Sequence, residues 1–226
     1  MKTNYLLILF ALLLAIPQAA DAKKKKDIAI QLYSVRDIIN NGTDLNVVLK
    51  NLAQMGYTSI EAANYDNGKF YGKTPEEFKN AVEKAGMKVL SSHCSRGLSN
   101  KEVASGDFSE SLKWWDQSIA AHKAAGMKYI VNPGIGVPKT MKEMKMYCDY
   151  FNKYPGRFTM LHIKDDKEIG DSGMVGFDAI FRNAKVAGVK HIVAEIEGYS
   201  CPVEESVKKS LDYLLDAPFV KASYSK

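Results

Sequence analysis

From Asp27 to Leu215 one pattern recurs: a short apolar stretch, a loop, then an amphipathic helix. Nothing else in the chain restricts the fold as much. Strands joined through helices run parallel, and a parallel sheet needs helices to cover it. The sequence predicts strands over 28–33, 58–63, 88–94, 128–132, 157–164 and 191–197. Helices are predicted over 44–55, from Pro75 toward Gly86, and over 108–125, 140–151, 177–187 and 202–215. Gly56, Gly86, Gly126 and Gly188 stop four of them, and Thr74-Pro75 opens one as N-cap and first helical residue.

Side chains alternate across a strand, and this period sorts the strand ends. Gln31 and Tyr33 finish the first strand on one face, Glu61 the second, His93 the third and Asn132 the fourth. His162 with Lys164, and Glu195 with Glu197, occupy that place in the last two. Ile30, Ile60, Leu90, Ile130, Ile163 and Ile196 are expected to point the other way, toward helices. A flat sheet with helices on both sides wants both faces apolar near its middle. A sheet curled into a barrel instead presents such polar ends as a ring at its mouth, where barrel enzymes keep their chemistry. The expected fold is therefore α/β, a TIM-type (β/α) barrel truncated to about six strand–helix units.

A ring holding His162, Glu195, Glu197, Glu61 and His93 suits a divalent cation such as Mn, Zn, Mg or Co. Such an ion can hold adjacent sugar oxygens while a carboxylate moves the proton beside the carbonyl. Plainer roles compete. His162 could be a satisfied core histidine, and Glu195 could pair with Lys164 without any metal. His122 and His191 fit structural or exposed roles. Cys94 follows His93 but points to the opposite face, which weakens a nucleophile pair. Asn132-Pro133-Gly134-Ile135-Gly136 reads as a turn rather than a phosphate loop. Trp114-Trp115 on a helix should pack one ring and leave the other near the surface.

The amino terminus has the layout of a secretory signal peptide: Lys2, an apolar run from Leu6 to Ile16, Pro17, and small residues at Ala20 and Ala22. The expectation is a leader over 1–22, cleaved after Ala22, and a single domain over 23–226, exported to a periplasm or secreted. The apolar run is short for a membrane span, so no stable membrane insertion is expected after cleavage. The net charge of +5 owes much to Lys23–Lys26, read as a solvated arm. No basic helix interleaved with aromatics speaks for nucleic acid. Three cysteines make no disulfide framework; Cys94 and Cys201 both follow strands and could lie near each other.

Four stretches together resemble the sugar phosphate isomerase/epimerase family, with its xylose-isomerase-like TIM barrel, in exported form. They are Ile28–Arg36, Gly56–Glu61, Leu161-His162-Ile163-Lys164-Asp165 and Val193-Ala194-Glu195-Ile196-Glu197. The resemblance implies a sugar substrate, a divalent metal, and proton transfer next to a sugar carbonyl. His162 is similar to the family's metal-binding histidine on the penultimate strand. Glu195 resembles the last-strand glutamate that serves as ligand and acid/base, with Glu197 a competitor for that role. Lys164, Glu61 and His93 fall where such enzymes contact substrate. The family's barrel has eight strands and usually four metal ligands, two of them on strands five and six. Here those two units are missing, as if an internal deletion had been fused near Asn152-Lys153. An incomplete metal site, impaired activity and homo-oligomers through open sheet edges are the expected costs. A lyase or hydrolase on keto-glycosides, and a non-catalytic sugar-binding remnant, are the alternatives.

Overall fold

The computed structural model describes residues 25–133, 152, 153, 155, 156 and 158–224. In chain order its strands are β1 (Ile28–Gln31), β2 (Ser59–Ala62), β3 (Tyr65–Asp66), β4 (Lys69–Phe70), β5 (Lys88–His93), β6 (Tyr129–Val131), β7 (Met160–Ile163) and β8 (His191–Ala194). Six of them form one parallel sheet in the order β6-β5-β2-β1-β8-β7, and β3 and β4 make a small antiparallel pair. Neighbouring strands lie about 4.8 Å apart, so a flat sheet would separate β5 from β7 by roughly 19 Å. Instead the rings of His93 on β5 and His162 on β7 stack with centroids 5.2 Å apart. Across the same interior, Tyr129 on β6 reaches His191 on β8, hydroxyl to Nε2, at 3.3 Å. The sheet is curled into a half-barrel, the expected TIM-type α/β fold with six strands. Among the described residues β6 and β7 do not pair, and each stands at an edge.

Most apolar side chains fill the layer between sheet and helices. Ile28, Ile30, Ile60, Ile163 and Ile196 meet Leu49, Leu52, Phe78, Val82, Leu211 and Leu214 there, all buried. The interior of the half-barrel holds a smaller cluster, Ala29, Leu90 and Val193, flanked by Tyr129 and Met160. Leu90 thus faces inward, not toward the helices as strict alternation predicts. The cause is a bulge: Ile60 pairs with Val89 but Glu61 pairs with Ser91, so β5 carries one extra residue there. That residue lets Leu90 and His93 both face the interior despite their odd spacing.

Helix ends follow the local chemistry. Asp44 accepts from the Asn46 amide, and Gly56 ends the helix Leu45–Met55 at φ 116°, a left-handed conformation that favours glycine. Thr74 and Glu77 form a reciprocal capping box before Pro75–Lys84. The predicted helix over 177–187 is two pieces, Phe177–Arg182 and Ala184–Ala187, parted at Asn183, whose side-chain amide donates to the Ala179 carbonyl. Ser109–Ala124 and Val203–Asp216 sit close to prediction. The helix Asn100–Ser105 and the β3–β4 pair were not expected.

Cys94 and Cys201 are free thiols with different partners, Ser118 and Glu168. No helix among the described residues is long and apolar enough to cross a membrane. The leader over 1–22, the helix over 140–151, Cys148 and Gly134-Ile135-Gly136 lie outside the described residues. So does most of the segment leading to the inferred junction near Asn152-Lys153.

Candidate metal centre

Because the strands run parallel, their carboxyl ends share one rim, and the curl turns the last inward side chain of each toward one centre. Glu61 on β2 is fully buried there. It accepts from Gln31 Nε2 at 2.8 Å and from the Ser91 hydroxyl at 2.6 Å. His162 Nε2 approaches its Oε1 at 3.1 Å, and His93 Nε2 approaches the same oxygen at 3.3 Å. The other ring nitrogen of His162, Nδ1, lies 2.6 Å from Glu195 Oε2. Lys164 Nζ completes the chain, 2.9 Å from Glu195 Oε1 and 3.0 Å from Glu197 Oε1. Glu195 lies one residue past β8 but keeps the ladder, its amide donating to the Ile163 carbonyl at 3.1 Å.

The six candidate site residues Glu61, His93, His162, Lys164, Glu195 and Glu197 are all in this network. Tyr33, expected to finish the first strand on the same face, instead lies in the 3-10 turn Leu32–Val35 and is 41% exposed. His162 is the hub of the network, and Glu61, His93, Glu195 and Lys164 are within two contacts of it. Glu197 lies at the solvent end, about half exposed. The salt bridge from Lys164 to Glu195 that the sequence allowed is present. Two participants stand outside those six: Gln31, which the two-residue period places on the inward face, and Ser91, which is not among the strand ends it sorts. Gln31 bridges Glu61 and His93, 2.9 Å from His93 Nε2. Ser91 reaches Glu61 only because of the bulge, which the sequence does not show. His122, by contrast, is buried in a structural role with Nδ1 on the Ser118 carbonyl, and Trp114 packs edge-on against Tyr65.

The charges of the cluster are set by burial against hydrogen bonding. Burial disfavours an imidazolium at His162, but bonds to Glu195 and Glu61 outweigh it and lift its pKa to about 9. Burial likewise pushes Glu61 up, and the bonds from His162, Ser91 and Gln31 bring it below the ordinary carboxylate value. Glu195 is lowered in the same manner by His162 and Lys164 after burial is overcome. Burial lowers His93, which leaves a neutral imidazole beside a charged one.

Glu61, His93 and His162 each offer a ligand atom, and these atoms lie within 4.8 Å of one another. Two ligands each about 2.1 Å from an ion in tetrahedral geometry are separated by about 3.4 Å. The 3.1 and 3.3 Å separations from the two imidazoles to Glu61 Oε1 match that spacing. Glu195 on His162 Nδ1 repeats the carboxylate–histidine arrangement that fixes a ligating imidazole. Gln31 Oε1 is buried with no hydrogen-bond partner, a further acceptor beside the cluster. The donor set fits a divalent cation.

No family model matches the sequence, and no curated protein matches it. Solved structures do. A sugar phosphate isomerase/epimerase from Parabacteroides distasonis superposes with a TM-score of 0.69 at 24% identity, over 89% of this chain and 98% of that one. An L-ribulose 3-epimerase gives 0.59 at 11% identity, over 84% and 93%. The IOLI protein, solved with a bound zinc atom, gives 0.52 at 13% identity, over 86% and 98%. The likeness at these identities is one of fold, a xylose-isomerase-like TIM-type barrel.

Proposed function

Starting from a chain with the xylose-isomerase-like fold, we propose that it binds a divalent cation through Glu61, His93 and His162 and acts on a sugar beside its carbonyl, as an isomerase or epimerase. The convergence of those three ligand atoms at the carboxyl rim carries the reading. Barrel enzymes place their chemistry at that rim. Structural neighbours that process sugars and one that holds zinc support it. Held by Glu61, His93 and His162, such a cation would supply Lewis-acid polarisation of the sugar carbonyl.

This chain's residues do the rest. Glu195 keeps a proton on Nδ1 of His162, leaving Nε2 free to ligate. Its lowered pKa keeps it ionised near neutrality, in the form that takes a proton from the carbon next to the carbonyl. Lys164, against both Glu195 and Glu197, offsets their charge and can donate to a substrate hydroxyl. A leader over 1–22 would place this activity outside the cytoplasm.

Calorimetric titration with Mn²⁺ or Zn²⁺ tests the first half. We expect one site, lost in Glu61→Gln and in His162→Ala. The second half is read by proton NMR in D₂O over a panel of ketoses. Deuterium should enter at the carbon beside the carbonyl with the native protein and not with Glu195→Gln, which still binds the metal. Absence of metal binding would return the cluster to the plainer role its self-compensated charges permit, a sugar-binding remnant. In that remnant His162, Glu61, Glu195 and Lys164 satisfy one another.

A further inference from the structure

A crevice opens beside the metal centre and shares none of its residues. It encloses about 170 Å³ between the helix Arg36–Asn40 and the segment that follows β2. Ala63 and Asn64 on that segment are two and three residues past Glu61, so their Cα atoms are at most roughly 7 and 11 Å from its own. On the other wall, Tyr33 lies two residues past Gln31. Arg36, which also lines the crevice, donates from Nη2 to the Glu197 carbonyl at 3.0 Å. That bond ties the crevice to the solvent end of the Glu195–Lys164–Glu197 network.

The lining has two characters. Leu32, Ile39 and Ala63 are apolar, and Tyr33 and Tyr71 add aromatic rings. The polar groups at its edge are largely uncommitted. Among the described residues the side-chain amides of Asn40 and Asn64 make no hydrogen bond, and both residues are exposed. The Tyr71 hydroxyl accepts from the Ala63 amide at 3.1 Å, which leaves its own proton free to donate. Tyr71 reaches this place with φ at 52°, a left-handed backbone that is rare for a bulky residue and concentrated at ligand clamps. Arg36 is the one cation in the lining, and it is occupied. Its Nη1 donates to the Tyr33 carbonyl at 3.0 Å and to the Tyr199 hydroxyl at 2.8 Å, and Asp37 lies 3.8 Å from Nε. A phosphate needs charged donors free to fork onto its oxygens, and Arg36 has spent most of its own. A sugar ring has an apolar face and hydroxyls that donate and accept. It matches aromatic walls edged by amides.

We propose that the crevice holds a second, uncharged sugar ring, so that the substrate is a ketose of two rings or more and not a phosphorylated monosaccharide. The inference rests on the metal-site reading for the first ring and on the crevice alone for the second. The second ring lies against Tyr33 and Tyr71, the Tyr71 hydroxyl donates to it, and Asn40 and Asn64 bond its outer hydroxyls.

Ligand-observed NMR on the Mn²⁺-loaded protein reads the preference. The probes are fructose, fructose 6-phosphate, and two uncharged disaccharide ketoses of different linkage, isomaltulose and lactulose. At least one disaccharide should bind roughly 10-fold or more tighter than either monosaccharide. Asn40→Ala with Asn64→Ala, at exposed positions without internal bonds, should erase that preference and leave Mn²⁺ affinity at its native value. Tyr71→Phe should weaken the disaccharide several-fold. The preference should persist in metal-free protein, because no residue of Glu61, His93 and His162 lines the crevice. A protein that binds no metal yet keeps a variant-sensitive preference would end the isomerase reading and uphold the crevice. One that binds metal and exchanges deuterium into fructose, with no gain from a second ring, would do the reverse. Tighter binding of fructose 6-phosphate, or a preference indifferent to the amide changes, also overturns the proposal.

Discussion

Glu61 and Glu168 are both carboxylates withdrawn from water, at 0% and 1% exposure. They are held in opposite ways. Glu168, in the loop after β7, accepts from the Ser200 amide at 2.8 Å, the Ser200 hydroxyl at 2.7 Å and the Cys201 thiol at 3.5 Å. Burial raises its pKa, yet the bonds from Ser200 bring it down to about 2. Its partners come from the loop after β8, and as an amide, a hydroxyl and a thiol they bring no charge. Glu168 is thus a clasp between two loops. Glu61 is also held by neutral donors, Gln31 and Ser91, but part of its stabilisation comes from an imidazole. An imidazole can give up its proton and take a cation instead. The contrast offers a criterion for telling a clasp from a candidate ligand: whether its partner can be exchanged, not how deeply it is buried.

Exchanging each carboxylate for its amide should break that comparison most sharply. Glu61→Gln is expected to lower affinity for Zn²⁺ or Mn²⁺ by roughly 100-fold or more, since even outer partners of ligands are worth about 10–100-fold. Its metal-free stability should fall by about 1–3 kcal/mol as well, because Gln31, Ser91 and His162 lose a charged acceptor. Glu168→Gln should leave affinity unchanged and cost about 1–3 kcal/mol of stability, because buried donors lose a charged acceptor. Calorimetry and thermal denaturation on both proteins read the two effects. If Glu168→Gln weakened metal binding as much as Glu61→Gln, the distinction would fail.

The pH dependence of metal-free stability is the next test, and the two regions should respond at opposite ends. A carboxyl lowered on folding adds stability that is present above its unfolded value, near 4.5 for glutamate, and lost as pH falls toward the folded one. For Glu168 that loss runs down to about 2. His162 is raised, so its contribution is complete below about 6.5 and disappears as pH rises through about 9. Melting temperatures of native protein and His162→Ala should therefore converge in the alkaline range. They should differ most near neutral pH and below it. Parallel curves above pH 9 would show that His162 is not the titrating hub.

The smallest expected effect sharpens the picture at the bulge. Ser91→Ala removes one neutral donor from Glu61, which should reduce metal affinity about 10-fold, the low end for an outer partner, while leaving the fold intact. An unchanged affinity would mean that Ser91 serves only the packing of β5.

Much of this was legible in the residues. The spacing of apolar stretches and glycine stops announced the alternating strands and helices, because helix caps and strand periodicity are local properties. The inward set Gln31, Glu61, His93, His162 and Glu195 followed from a two-residue period applied strand by strand. Where a neighbour rather than the local sequence decided the outcome, the reading fell short. Leu90 faces inward and Ser91 joins Glu61 because β2 imposes a slipped register on β5, and no residue of β5 signals this alone.

The short β3–β4 pair and the helix Asn100–Ser105 were also missed, each too brief for a periodic pattern to stand out. The sequence by itself determined which side chains could meet at the rim and that the sheet would be parallel. Only the tertiary structure decided that His162 stands between two carboxylates, with His93 stacked on it and Lys164 behind Glu195. The physical reason is curvature. The bend that brings β5 and β7 face to face comes from every strand twisting against its neighbours, and that sum is written in no single segment.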